Sequence, residues 1–181
     1  GTTRSGKVDK SENRGSMIRV KQKTLKQHKG VRTQETLELL AAAAENGNVE
    51  LFNCLYEHPA VNGIPISETI YSLIVKHSTS EGNVGMLEKI LKDRVDHDSM
   101  MSTTLMEDAF DEAVKMILEE NFAFEAMEVV LRVANAETRR NLVDKHGAQT
   151  ILRLLRYMFC FRRYRSEFLL KTLTETAVDL K

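Results

Sequence analysis

The tripeptide Gly-Asn-Val occurs twice, at Gly47-Asn48-Val49 and at Gly82-Asn83-Val84, 35 positions apart. Laid over one another in that register, residues 33–67 and 68–102 agree well beyond the tripeptide. Leu39 falls on Ile74, Leu40 on Val75, Leu51 on Met86, Phe52 on Leu87, Leu55 on Ile90 and Tyr56 on Leu91. Apolar residues recur at helical spacing on both sides of each Gly. Each copy therefore reads as two short amphipathic helices, with the Gly ending the first. One such hairpin leaves its apolar face uncovered, and a neighbouring copy covers it, so hairpins of this kind come in series.

The echo predicts an all-α chain, a helical-hairpin repeat solenoid of about eight or nine helices. Leu37, Leu39, Leu40 and Ala43 mark the first helix, and Val49, Leu51, Phe52, Leu55 and Tyr56 the second. The stretch "HPAVNGIPIS" holds both prolines and reads as a loop. Ile70 to His77 and Val84 to Leu91 give the next pair, followed by a polar break at "KDRVDHDS". Further helices are expected near Thr104–Glu119, Phe122–Ala134, Glu137–Lys145, Ala148–Phe161 and Arg163–Val178. The expected core comprises Leu39, Leu40, Phe52, Leu55, Ile74, Leu87, Ile90, Leu91, Ile117, Val130, Leu152, Leu155 and Phe159. The two cysteines, Cys54 and Cys160, lie in apolar stretches and read as buried thiols rather than a disulfide or ligand pair.

The formal net charge of zero divides into three blocks. Residues 1–32 carry ten Lys/Arg against two acids, residues 33–131 five against nineteen, and residues 132–181 eleven against five. The organisation expected is a disordered basic tail over 1–32, hairpin repeats over 33–134 (33–67, 68–102 and about 103–134), and basic helices over 135–181 that cap or extend the stack. Gly15-Ser16 before Met17 matches a cloning scar, so part of the tail reads as vector-derived. No apolar run is long enough to span a membrane and no secretory segment opens the chain, which predicts an intracellular protein.

The 35-residue hairpin, its x-Gly-Asn-Val turn and the Gly63-Ile64-Pro65 segment before the second copy resemble a pentatricopeptide repeat. The best match is "TIYSLIVKHSTSEGNVGMLEKILKDR", in which Tyr71 precedes Gly82 by eleven residues. A weaker third copy is seen at "EENFAFEAMEVVLR", with Asn121 at the turn-Gly position and Ala126 at the small position of the second helix. "AAAENGNVELFNCLYEHPAVN" is also similar to an ankyrin repeat, and "NLVDKHGAQTILRLLRYM" to part of an armadillo repeat. The pentatricopeptide resemblance implies single-stranded RNA as partner, one base per repeat. It implies base choice at the fifth and last repeat positions, which are Leu37 and Ser67, then Ser72 and Ser102. It also implies a role in RNA metabolism, in mitochondria, with the cytoplasm as the alternative compartment.

The residues themselves leave a second reading open. Leu37 has no hydrogen-bonding group for a base, and the repeats form the acidic block, which repels phosphate. Both point to a protein partner or a second copy, that is, to a protein–protein interaction scaffold. The basic surface lies later, in "RLLRYMFCFRRYRSEF", where Arg153, Arg156, Arg162, Arg163 and Arg165 alternate with aromatics including Tyr164. Such a segment suits phosphates and stacked bases, an acidic protein, or a solvated rim on an apolar stripe.

Catalytic signals are weak. "GTTRSGKV" has phosphate-loop spacing, but Val8 stands in place of the magnesium-holding hydroxyl. The five histidines are scattered, without metal-ligand spacing. Glu107, Asp108, Asp111 and Glu112 suit a helix start better than acid–base chemistry. The chain reads as a non-catalytic binding module with no cofactor and no metal.

Overall fold

The computed structural model describes residues 33–61, 63–121, 123–160 and 166–179; the basic tail expected over 1–32 lies outside them. These residues are helical, with no strand among them. The order is α1 (residues 33–45), α2 (Val49–Tyr56), a 3-10 turn (Pro59–Val61), α3 (Glu68–Ser80), α4 (Val84–His97), α5 (Ser99–Leu118), α6 (Phe124–Val133), α7 (Ala136–Cys160) and α8 (Glu167–Asp179). No described helix is long and apolar enough to cross a membrane.

The two Gly-Asn-Val sites fold identically. Gly47 and Gly82 take left-handed φ values of 66° and 71°. Past each Gly, the Asn N–H donates back over the turn, from Asn48 to the Ala43 carbonyl and from Asn83 to the Ser78 carbonyl, both at 2.8 Å. The same Asn then turns its side chain forward and caps the next helix, accepting from Leu51 N at 3.0 Å and Met86 N at 3.2 Å. Gly ends one helix and Asn starts the next, which is why the pair recurs. A third turn of this geometry joins α5 to α6, where Asn121 N donates to the Met116 carbonyl at 2.8 Å. Its left-handed residue is Glu120, at φ 66°, and not Asn121, so the third turn falls one position earlier than the sequence suggests.

Consecutive helices from α3 to α6, and α7 with α8, pack on one another, and alternate helices pack as well. α3 lies on α5 and α5 on α7, while α4 lies on α6 and α6 touches α8. Between them sits one continuous core, in which Phe52, Phe110, Leu87, Ile90 and Met127 are fully enclosed. α1 contributes Leu40, Ala43 and Ala44.

Several sequence expectations are corrected here. Leu39 is 52% exposed, because its neighbour Leu40 takes the inward position and adjacent helical residues point about 100° apart. In α7 the buried row is Ile151, Leu154 and Met158, which turns Leu152 (53%) and Phe159 (66%) to solvent. Leu155 and Leu55 are only partly buried. Cys54 and Cys160 are exposed free thiols, on the outward sides of α2 and α7. The polar break "KDRVDHDS" is instead helix as far as His97. Asp98 is the single residue between α4 and α5 and caps α5 by accepting from Met100 N and Met101 N. α7 is broken at Gly147, φ 75° and ψ 160°, close to the expected boundary between two helices.

Candidate functional site

A polar recess lies between α2, the 57–67 connection, the start of α3 and the second half of α4. It is a groove of about 690 Å³, walled by Val61, Ile64, Pro65, Ile66 and Met101 and floored by Tyr56 and Tyr71. Its charged members are Glu57, just past the end of α2, and Lys89, Asp93, Arg94 and His97 on α4. The two tyrosines meet edge to face, with centroids 6.3 Å apart. Tyr56 donates its hydroxyl to Asp93 Oδ2 at 2.9 Å. Burial pushes the Tyr56 phenol far above its ordinary pKa, and its neighbours Tyr71 and Asp93 add to the shift, so it remains a neutral donor.

The cations of the groove differ in engagement. Lys89 bonds Glu57 at 2.5 Å and sits 5.6 Å from the Tyr56 ring centre. Arg94 stacks its guanidinium 4.9 Å from the Tyr71 ring centre, and its Nε is buried with no hydrogen-bond partner. A buried, unanswered guanidinium N–H carries a desolvation cost of about 1–3 kcal/mol, recovered by any acceptor that reaches it. Arg94 lines the groove, so an entering carboxylate would meet its guanidinium, and Nε itself only once the side chain turns outward.

The expected base-reading positions are placed elsewhere and not together. Ser72 donates its hydroxyl to Asp108 Oδ2 on α5, and the same carboxylate pairs with Lys76 at 3.1 Å. Ser67 is the exposed cap of α3, accepting from Ile70 N at 3.4 Å. Ser102 is buried in α5, and its hydroxyl donates to the Ser99 carbonyl at 2.9 Å. Leu37 packs on the core. Arg153 and Arg156 are exposed on α7, whereas Arg162, Arg163, Tyr164 and Arg165 lie outside the described residues.

The α3–α5–α7 side, where the resemblance puts base contacts, is a chain of ion pairs. Beyond Ser72, Lys76 and Asp108, Asp111 receives Lys145 and His146, both at 2.8 Å, and Lys145 also approaches Glu107 at 3.7 Å. Burial alone would raise the Asp111 carboxyl; the hydrogen bonds from Lys145 and His146 outweigh it and hold the pKa below the ordinary range. The hydrogen bond to Asp111 raises Lys145 in turn. Both shifts favour the charged forms of Asp111 and Lys145. Among the described residues no cluster of His, Cys, Asp and Glu is arranged to hold a metal ion.

The groove was not legible in the sequence. Tyr56 and Asp93 stand 37 positions apart and meet because the fold brings the end of α2 to α4. The available signal was Tyr71, which the repeat pattern singles out, together with the charges of "KDRVDH", which read as a loop. Comparison with protein-family models, with curated proteins and with solved structures returns no match to this chain.

Proposed function

We propose that the chain is a non-catalytic helical-hairpin repeat module, similar in layout to pentatricopeptide and tetratricopeptide arrays, that binds a protein segment in the Tyr56–Tyr71–Arg94 groove. The observation that carries the reading is Arg94, a groove-lining cation stacked on Tyr71 whose Nε is buried and unpaired. A carboxylate side chain on an otherwise apolar segment answers that donor, while the tyrosines, Ile64, Pro65 and Met101 cover the apolar part. Tyr and Arg anchors in a partly apolar recess are the composition of interface hot spots. The serial arrangement is supported by the three turns of one geometry and by the alternate-helix packing.

Binding rather than catalysis is supported by the titrating groups. Acid–base work near neutrality needs pKa values near neutrality. Here the Tyr56 phenol is driven up and the Asp111 carboxyl down, both away from that range.

RNA binding is the second reading, favoured by the exposed Arg153, Arg156 and Phe159 on α7. It ranks behind because Ser72 already donates to Asp108 and Ser102 is buried. An array of short peptides, half containing Asp or Glu and half with Asn or Gln at the same positions, separates the two when run beside mixed single-stranded RNA. The expected result is preferential retention on acidic apolar peptides, with RNA binding that is sequence-blind and fades as salt rises. RNA binding with base preference that changes on Ser72→Ala, with no acidic-peptide preference, would favour the second reading instead.

A further inference from the structure

The two ends of the helix series expose opposite chemistry. At the N-terminal end, α1 exposes Glu35, Glu38 and Leu39, and α2 exposes Glu50 and Leu51, the two leucines at 52% and 42%. At the other end, the second half of α7 turns outward Arg153 and Arg156 between Leu152 and Phe159, which are 53% and 66% exposed. Residues 152, 156 and 159 share one helical stripe, so the apolar pair and the guanidinium groups form one face. The two faces are far apart in packing order, since α2 lies on α3, whereas α7 and α8 lie on one another and on α5 and α6.

We propose that the protein associates head to tail with a second copy of itself, the acidic α1–α2 edge of one copy seating on the basic α7 face of the next. Each face has an apolar centre and a charged rim, and the signs are complementary. Among the described residues, helices pack on one another through their apolar faces, and these outward apolar positions on α1, α2 and α7 are left exposed. The contact joins two different patches, so it is heterologous. It leaves a free edge at each end and adds copies in series unless the rotation closes a ring. Its strength falls with added salt, because the rim charges are exposed. This association is separate from the groove, which needs neither face.

Sedimentation velocity on the full chain, over a broad concentration series at low and high salt, tests the proposal through charge reversal. The reversals are Glu35→Lys with Glu38→Lys and Glu50→Lys on one edge, and Arg153→Glu with Arg156→Glu on the other. Unaltered protein is expected to form concentration-dependent species larger than a dimer that dissociate in salt. Each reversal alone is expected to give monomer, since both ends then carry one sign. Mixing the two reversed proteins, or combining both reversals in one chain, is expected to restore assembly. Should a reversal lower the helix content, Phe159→Ser replaces it, with association expected to weaken at least tenfold. Monomer at every concentration, or assembly indifferent to both reversals, overturns the proposal. So does an effect of the acidic-edge reversal alone without rescue on mixing, which would instead mean that the basic segment over residues 18–30 covers that edge.

Discussion

At the scale of single residues, the turn positions carry the most specific expectations. Gly47 and Gly82 share the left-handed conformation, but a Cβ at Gly47 would stand 2.8 Å from His77 Nδ1, whereas at Gly82 nothing lies within 4 Å. Gly82→Ala is therefore expected to cost only the left-handed penalty, about 1–2 kcal/mol. Gly47→Ala should cost more, on the order of 2–4 kcal/mol, because the His77 ring must also move. Urea unfolding of the two variants measures the difference. Glu120 is the converse case, a side-chain-bearing residue at φ 66°. Glu120→Gly is expected to stabilise by about 0.5–1 kcal/mol, the relief of strain less the added chain entropy. The two glycines were legible because Gly is the residue such a turn favours. The third turn was misplaced onto Asn121 because Asn tolerates positive φ far better than Glu, so the sequence favours the wrong neighbour. Cys54 and Cys160 were misread as buried, and both are expected to react with a thiol reagent in the native protein, two thiols per chain without denaturant. Blocked thiols that react only on unfolding would contradict their exposure.

At the scale of elements, the pairing of Asp111 on α5 with Lys145 and His146 on α7 makes stability depend on pH. The Asp111 carboxyl is held below its ordinary 3.8, so its contribution is fully present above that value and is lost as pH falls through the lower folded-state pKa. The side chain is 41% exposed, so solvent screening keeps the effect small. Asp111→Asn is expected to lower stability at neutral pH by about 1 kcal/mol or less, and to leave it unchanged in strong acid. Paired urea titrations at the two pH values read this directly, and a loss of equal size in acid would contradict it. Helix content was legible in each of these elements because apolar residues recur at helical spacing through them. The end of α4 was not, because periodicity lapses after Leu91, although Lys92 and Arg94 remain good helix formers. Which of two adjacent apolar residues faces inward, as at Leu39 and Leu40 or Ile151 and Leu152, depends on helix rotation, and the neighbouring elements set that.

At the scale of the whole molecule, the groove exists because the fold brings the end of α2 against α4 beside the start of α3. Tyr56 comes from one copy, Asp93 and Arg94 from the next, and Tyr71 from the helix between them. The period was visible in the sequence. The groove was not, since its polar contacts join positions that no local pattern links. Recognition of a carboxylate by Arg94 is the central claim, and a double-mutant cycle tests it most directly. Binding of the best acidic peptide from the array, and of its amide-matched twin, is measured by calorimetry on the unaltered protein and on Arg94→Gln. The account expects a coupling energy of about 1.5 kcal/mol or more between Arg94 and the peptide carboxylate, the range of a charge-assisted hydrogen bond. Coupling near zero, with both peptides weakened equally by Arg94→Gln or by neither change, would contradict it.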